Sequence, residues 1–226
     1  MNPTSPALEL QTVADGFWNI SPKTPVELDI TGQVELFHGL DNLARVIRIH
    51  PGASVIYRSL TTESVTSKIR FEVLDSAKLV VRAGFFGNAN APIASVIEAV
   101  VMGSKVEADI EILGLAFERA SLDIDGILTI EAGCKEVVGS IRETNVFIAD
   151  TGMIRGVPTL KVRSDDVKAS HSCTIERLSD EHRFYLEGRG LSEQDAKMTL
   201  LDGKISHLYA GLADESLEAI RSQFLT

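Results

Sequence analysis

His171 is the residue of this 226-residue chain best placed for chemistry, standing in Ser170-His171-Ser172-Cys173 among short side chains. An imidazole with small neighbours is sterically accessible, and it can bind iron or move protons near neutral pH. Read alone, such a ring more often hydrogen-bonds its surroundings and shapes local structure. Cys173 follows two positions later, so on extended backbone both side chains point to one face and can share a site. Cys134 and Cys173 are the only cysteines. Without paired CxxC spacing they make neither a disulfide framework nor a structural zinc site, and each reads as a small packing thiol. His38, His50, His182 and His207 show no recurrent metal-ligand spacing.

Other chemistries find less support. Gly84-Phe85-Phe86-Gly87 lacks the lysine of a phosphate-binding loop, and no GxxxxGK[ST] stands elsewhere, so ATP hydrolysis is not expected of this chain. Glu107, Asp109, Glu111, Asp123 and Asp125 alternate with apolar residues and read as a solvated face, with a paired-carboxylate hydrolase as the competing reading. A formal charge of −10, from 22 Lys and Arg against 32 Asp and Glu, argues against nucleic acid and anionic membrane surfaces as partners. No basic start followed by an apolar run marks a leader, and no stretch approaches the roughly 18 apolar residues of a membrane span. A cytoplasmic location is the expectation.

Positioning any site requires a scaffold, and alternation is the dominant pattern from Val34 to Val162. It is clear in Ile69-Arg70-Phe71-Glu72-Val73 and in Val106-Glu107-Ala108-Asp109-Ile110-Glu111-Ile112. Val46, Ile56, Phe71, Val80, Val106, Ile112 and Ile124, or their alternating neighbours, are the expected core. Small-residue corners recur at Pro51-Gly52, Ser76-Ala77, Gly103-Ser104 and Gly133-Cys134; Gly52 to Ser76 to Gly103 spans 24 and then 27 residues. That interval suits one turn of a parallel β-solenoid, though periodicity alone also admits a sandwich or barrel. Before this region, Pro3, Pro6, Pro22 and Pro25 suggest an irregular arm over residues 1–33, anchored by Phe17 and Trp18. Beyond Cys173 the period becomes helical. Ser179-Asp180-Glu181 starts one helix, Ser192 with Asp195 caps a second carrying Leu201, Ile205, Leu208 and Leu212, and a third follows from Asp214 with Leu217, Ile220 and Phe224. Gly203 interrupts the second helix at a cost of roughly 1 kcal/mol.

The segment Leu160–Leu191, from Asp165-Asp166-Val167-Lys168-Ala169-Ser170-His171 through Phe184-Tyr185 to Arg189-Gly190-Leu191-Ser192, resembles the C-terminal signature of the SufB/SufD family. These are scaffold subunits of iron–sulfur cluster assembly. The resemblance implies a mainly β fold, a right-handed parallel β-helix over residues 34–175 with a C-terminal helical cap over 176–226. It implies a SufD-like, non-ATPase subunit of a SUF-type complex, with a transient iron–sulfur cluster as cargo. A SufC-like ABC ATPase would dock the helices, and a SufB-like subunit or second copy would dock the β-helix. ATPase movement would then open the β-helix interface. His171 falls at the histidine implicated in cluster formation, so it is the expected catalytic and metal-binding residue. Two family cysteines are replaced, by Ala169 two residues before His171 and by Glu143 in Ile141-Arg142-Glu143-Thr144-Asn145. Those replacements favour the alternative of an interaction scaffold without cluster chemistry; a β-helical carbohydrate-active enzyme is a third reading.

Overall fold

A computed structural model describes residues 11–89, 91–178, 180–212 and 218. Up to β13 its strands divide by parity between two sheets. One holds β1 (Gln11–Val13), β3 (Glu27–Ile30), β5 (Ala44–Ile49), β7 (Val65–Val73), β9 (Ile93–Val101), β11 (Ser121–Ile130) and β13 (Met153–Gly156), with β14 (Thr159–Val162) also paired to β11. The other runs β15 (Asp166–Arg177), β12 (Lys135–Phe147), β10 (Glu107–Ala116), β8 (Lys78–Gly87), β6 (Ser54–Thr61), β4 (Gln33–Gly39) and β2 (Gly16–Ile20). Every pairing is parallel. The chain therefore steps from one sheet to the other and back, adding one strand to each in turn, which excludes an antiparallel sandwich.

Alternation explains the core. The inward positions of both sheets, including Ile47, Tyr57, Phe71, Leu79, Ile97, Ile110, Ile124 and Ile141, form one continuous apolar cluster. Phe71, Val106, Ile112 and Ile124 are buried as the pattern predicts, whereas Val46, Ile56 and Val80 point outward. Their neighbours Ile47, Tyr57 and Val81 take the interior. In Val46-Ile47 and Leu79-Val80-Val81 consecutive apolar residues hide the phase, and a shift of one residue exchanges the two faces. Outward positions carry stacked charges, such as Arg48 against Asp29 at 3.2 Å and Glu72 at 3.0 Å.

The corners stack as their spacing suggests. Gly52 N–H donates to Asp75 O at 3.0 Å, Ser76 N–H to Ser104 O at 2.8 Å, and Lys105 N–H to Lys135 O at 2.8 Å. Gly52 and Gly133 have φ of +77° and +85°, values that glycine adopts without a Cβ penalty. Residues 11–30 depart from the expected irregular arm. Their strands extend both sheets, with Val13, Ile20, Leu28 and Ile30 buried, while Phe17 and Trp18 remain 58% and 39% exposed. Short strands between prolines give too few alternations to read.

Two helices follow the sheets, α1 (Asp180–Glu187) and α2 (Glu193–Leu208). Ser192 caps α2, accepting from Asp195 N–H at 3.1 Å. Leu201, Ile205 and Leu208, with Tyr209, pack on Leu60, Phe86, Leu113, Leu115 and Val146 in a second core on the outer face of the sheet holding β8 and β10. The cap is thus part of the body. Phe184 and Tyr185 are exposed, and α1 buries no residue. Ser179 and the third helix with Leu217, Ile220 and Phe224 lie outside the described residues. No described helix is long and apolar enough to cross a membrane.

Candidate functional site

His171 lies in the middle of β15. Short polar side chains have low β-propensity, but the ladder with β12 holds the segment extended, His171 pairing with Ile141 and Cys173 with Glu143. Both side chains therefore lie in phase with the interior column. They are exposed because β15 is the last strand of its sheet.

Across from β15 the opposing strand is broken. Gly156 ends β13 opposite Ile124 and Thr159 begins β14 opposite Ile127, leaving Val157 and Pro158 outside the ladder. Proline has no N–H to give a ladder. The carbonyls at this break meet the two candidate side chains: His171 Nδ1 is 3.4 Å from Pro158 O, and Cys173 Sγ is 3.9 Å from Gly156 O. With its proton on Nδ1, the ring donates to Pro158 and presents the Nε2 lone pair to a ligand. Burial, and then the carboxyl of Glu143, push the Cys173 thiol up, so it stays protonated.

Beneath them is a polar pair that sequence reading treated only as a missing cysteine. Glu143 is 1% exposed. Its Oε1 accepts from Asn145 Nδ2 at 2.6 Å, and its Oε2 has no hydrogen-bond partner. Gly156 makes room for it, since a Cβ there would run into Oε1. Burial raises the Glu143 carboxyl above the ordinary range, against the Asn145 hydrogen bond, with Asp125 adding to the rise. The available signal was phase: Glu143 and Asn145 continue the interior alternation of Val137, Gly139 and Ile141.

Other candidates resolve into structure. Glu107 pairs with Lys78 at 2.8 Å, Asp109 with Arg82 at 2.6 Å and Asp125 with Arg155 at 3.7 Å, while Arg155 also binds Asp123. Glu111 lies 3.4 Å from His207. These carboxylates neutralise neighbouring strands. Gly84–Gly87 is spent in the β8 ladder. Cys134 is buried, 3.6 Å from Val101 O. His38 is buried against the Tyr57 hydroxyl at 2.7 Å, and His50 is 3.4 Å from Asp29. Among the described residues, no three His, Cys, Asp or Glu side chains form a metal-holding group.

Residues 53–204 match the family described as SUF system FeS cluster assembly, SufBD core domain. The iron–sulfur cluster assembly protein SufD of Escherichia coli is 30% identical over 94 residues, 42% of this chain and 22% of the relative. An iron–sulfur cluster assembly SufBD family protein of Archaeoglobus fulgidus is 26% identical over 203 residues, 89% of this chain and 49% of the relative. A third, the SufBD family protein slr0076 of Synechocystis, is 38% identical over 58 residues, covering 26% of this chain and 13% of its own length. The chain thus spans half or less of the length of these curated relatives. With the family match covering both sheets' later strands, the edge strand of His171 and most of α2, this chain belongs to the SufBD family of iron–sulfur cluster assembly proteins.

Proposed function

We propose that this chain is a SufD-like, non-ATPase subunit of a SUF-type complex in the cytoplasm, holding an iron–sulfur cluster in transit as cargo. On this reading the two alternating parallel sheets are the turns of a right-handed β-helix. Its last turn is a docking face for a SufB-like subunit or a second copy. One observation carries the proposal: His171 stands exposed in phase with the interior column of an edge strand, its Nδ1 beside the Pro158 carbonyl. A ring so oriented offers Nε2 to iron, as a ligand completed by groups from the docked subunit. Cluster movement would be driven by a SufC-like ATPase docked on the helical cap, where Phe184 and Tyr185 are 77% and 57% exposed.

The test is complementation in a host dependent on this chain. His171→Ala should fold, reach normal levels and melt within about 0.5 kcal/mol of wild type, as a replacement on an exposed strand face does, while iron–sulfur enzymes fail to mature. Normal maturation would favour a second reading, an interaction scaffold without cluster chemistry. Ala169 and Glu143, standing where family cysteines stand, support that second reading.

A further inference from the structure

Strand β15 is paired only along its β12 side among the described strands. Beyond that ladder, His171 and Cys173 meet the break between β13 and β14, Arg177 pairs with Asp150, and the cap attaches near the strand's end. Lys204 Nζ of α2 donates to Glu176 Oε1 near the end of β15, and the strand ends three residues before α1 begins. A parallel tie joins His207 of α2 to Glu111 of β10 at 3.4 Å.

The helix is itself fixed at one end. Tyr209, its C-cap residue, is fully buried and donates its hydroxyl to Ser59 O at 2.6 Å. Gly84 on the neighbouring strand leaves that hydroxyl a space a Cβ would fill. Leu201 and Ile205 pack on the sheet along one face of the helix, and the face beside them stands off it. A groove of about 450 Å³ lies there, lined by Glu111, Leu113, Glu176, Leu200, Gly203 and His207. A Cβ on Gly203 would meet nothing. Where close packing is absent, the discrete contacts that remain set position.

We infer that the cap clamps the edge strand: Lys204 and Glu176 are positioning residues for β15, and Tyr209 is the fixed point from which α2 holds them. The inference concerns contacts within this chain and rests on the assembly reading only for its meaning there, namely that the state of the cap sets the order of the His171 strand.

Amide hydrogen exchange on the full chain at pH 7, without ATPase or iron, tests it. Lys204→Glu and Glu176→Lys should each speed exchange at residues 172–177 by roughly two- to five-fold, the scale of a half-exposed ion pair. The double exchange should restore protection. Tyr209→Phe keeps the ring and loses the hydroxyl, and should speed exchange in both α2 and residues 172–177. Unchanged exchange in the charge reversals, no restoration in the double variant, or acceleration of α2 alone in Tyr209→Phe would each overturn the clamp. Because no partner is present, that result would leave the assembly reading standing. Normal maturation with His171→Ala would leave the clamp standing.

Discussion

Glu143 and His38 show how burial decides what a titratable side chain does. Glu143 keeps its proton above the ordinary carboxylate range because its interior position disfavours the charge. The native state then binds more protons than the unfolded chain once pH passes about 4.3, so stability is full below that value and falls as pH rises toward the raised pKa. Glu143→Gln removes this loss while keeping an acceptor for Asn145, so its melting temperature should exceed wild type by about 2–4 °C at pH 8 and by less at pH 5. His38 runs the other way. Burial lowers it to about 4, against Asp41 and with Arg45, so between about 4 and 6.5 the unfolded chain binds the extra proton. That stability is present above 6.5 and lost as pH falls toward 4. His38→Gln should flatten melting temperature against pH across that window. Neither effect was legible in residue type alone. His171 was legible because short neighbours and a long ordered motif marked it; Glu143 became meaningful only once Gly156 and Cys173 were placed around it.

At the level of elements, strand type was easier to read than strand phase. Ile69-Arg70-Phe71-Glu72-Val73 declares its inner face, whereas Leu79-Val80-Val81 does not, and only the ladder with Lys78↔Glu107 and Leu79↔Ala108 settles it. The β15 segment is rich in Asp, Lys and short polar residues, which are poor strand formers, and long-range pairing overrides that preference. Helix α2 was legible from Ser192, Asp195 and the Leu201, Ile205, Leu208 stripe. Its partner surface was not, since Leu60, Phe86 and Leu113 come from strands distant in sequence. Gly84 is the sharpest test of that packing. Gly84→Ala would press on the Tyr209 hydroxyl, at a cost of about 1–3 kcal/mol, which thermal denaturation should record as a fall of about 2–10 °C. Gly203→Ala meets no atom and should stabilise by up to about 1 kcal/mol.

For the molecule as a whole, the cap is a structural cover. Removing residues 192–226 would uncover Leu60, Phe86, Leu113, Leu115 and Val146, an apolar patch that favours aggregation. Docking of an ATPase is better tested with Phe184→Ala and Tyr185→Ala on α1, which buries nothing; both should weaken co-purification of the ATPase at least ten-fold if these aromatics anchor it. The parallel ladders carry a further consequence for how such chains vary. From β3 to β10 each strand pairs with the strands two before and two after it, and the corners repeat the same backbone bonds from one level to the next. Gain or loss of one strand from each sheet together would therefore preserve the ladders on either side, so a change of length by a whole step disturbs the fold less than a change of a few residues. Excising residues 65–92, a single such step, should join β6 to β9 in workable register, and by removing Gly84 and Phe86 from beneath Tyr209 it should also loosen α2.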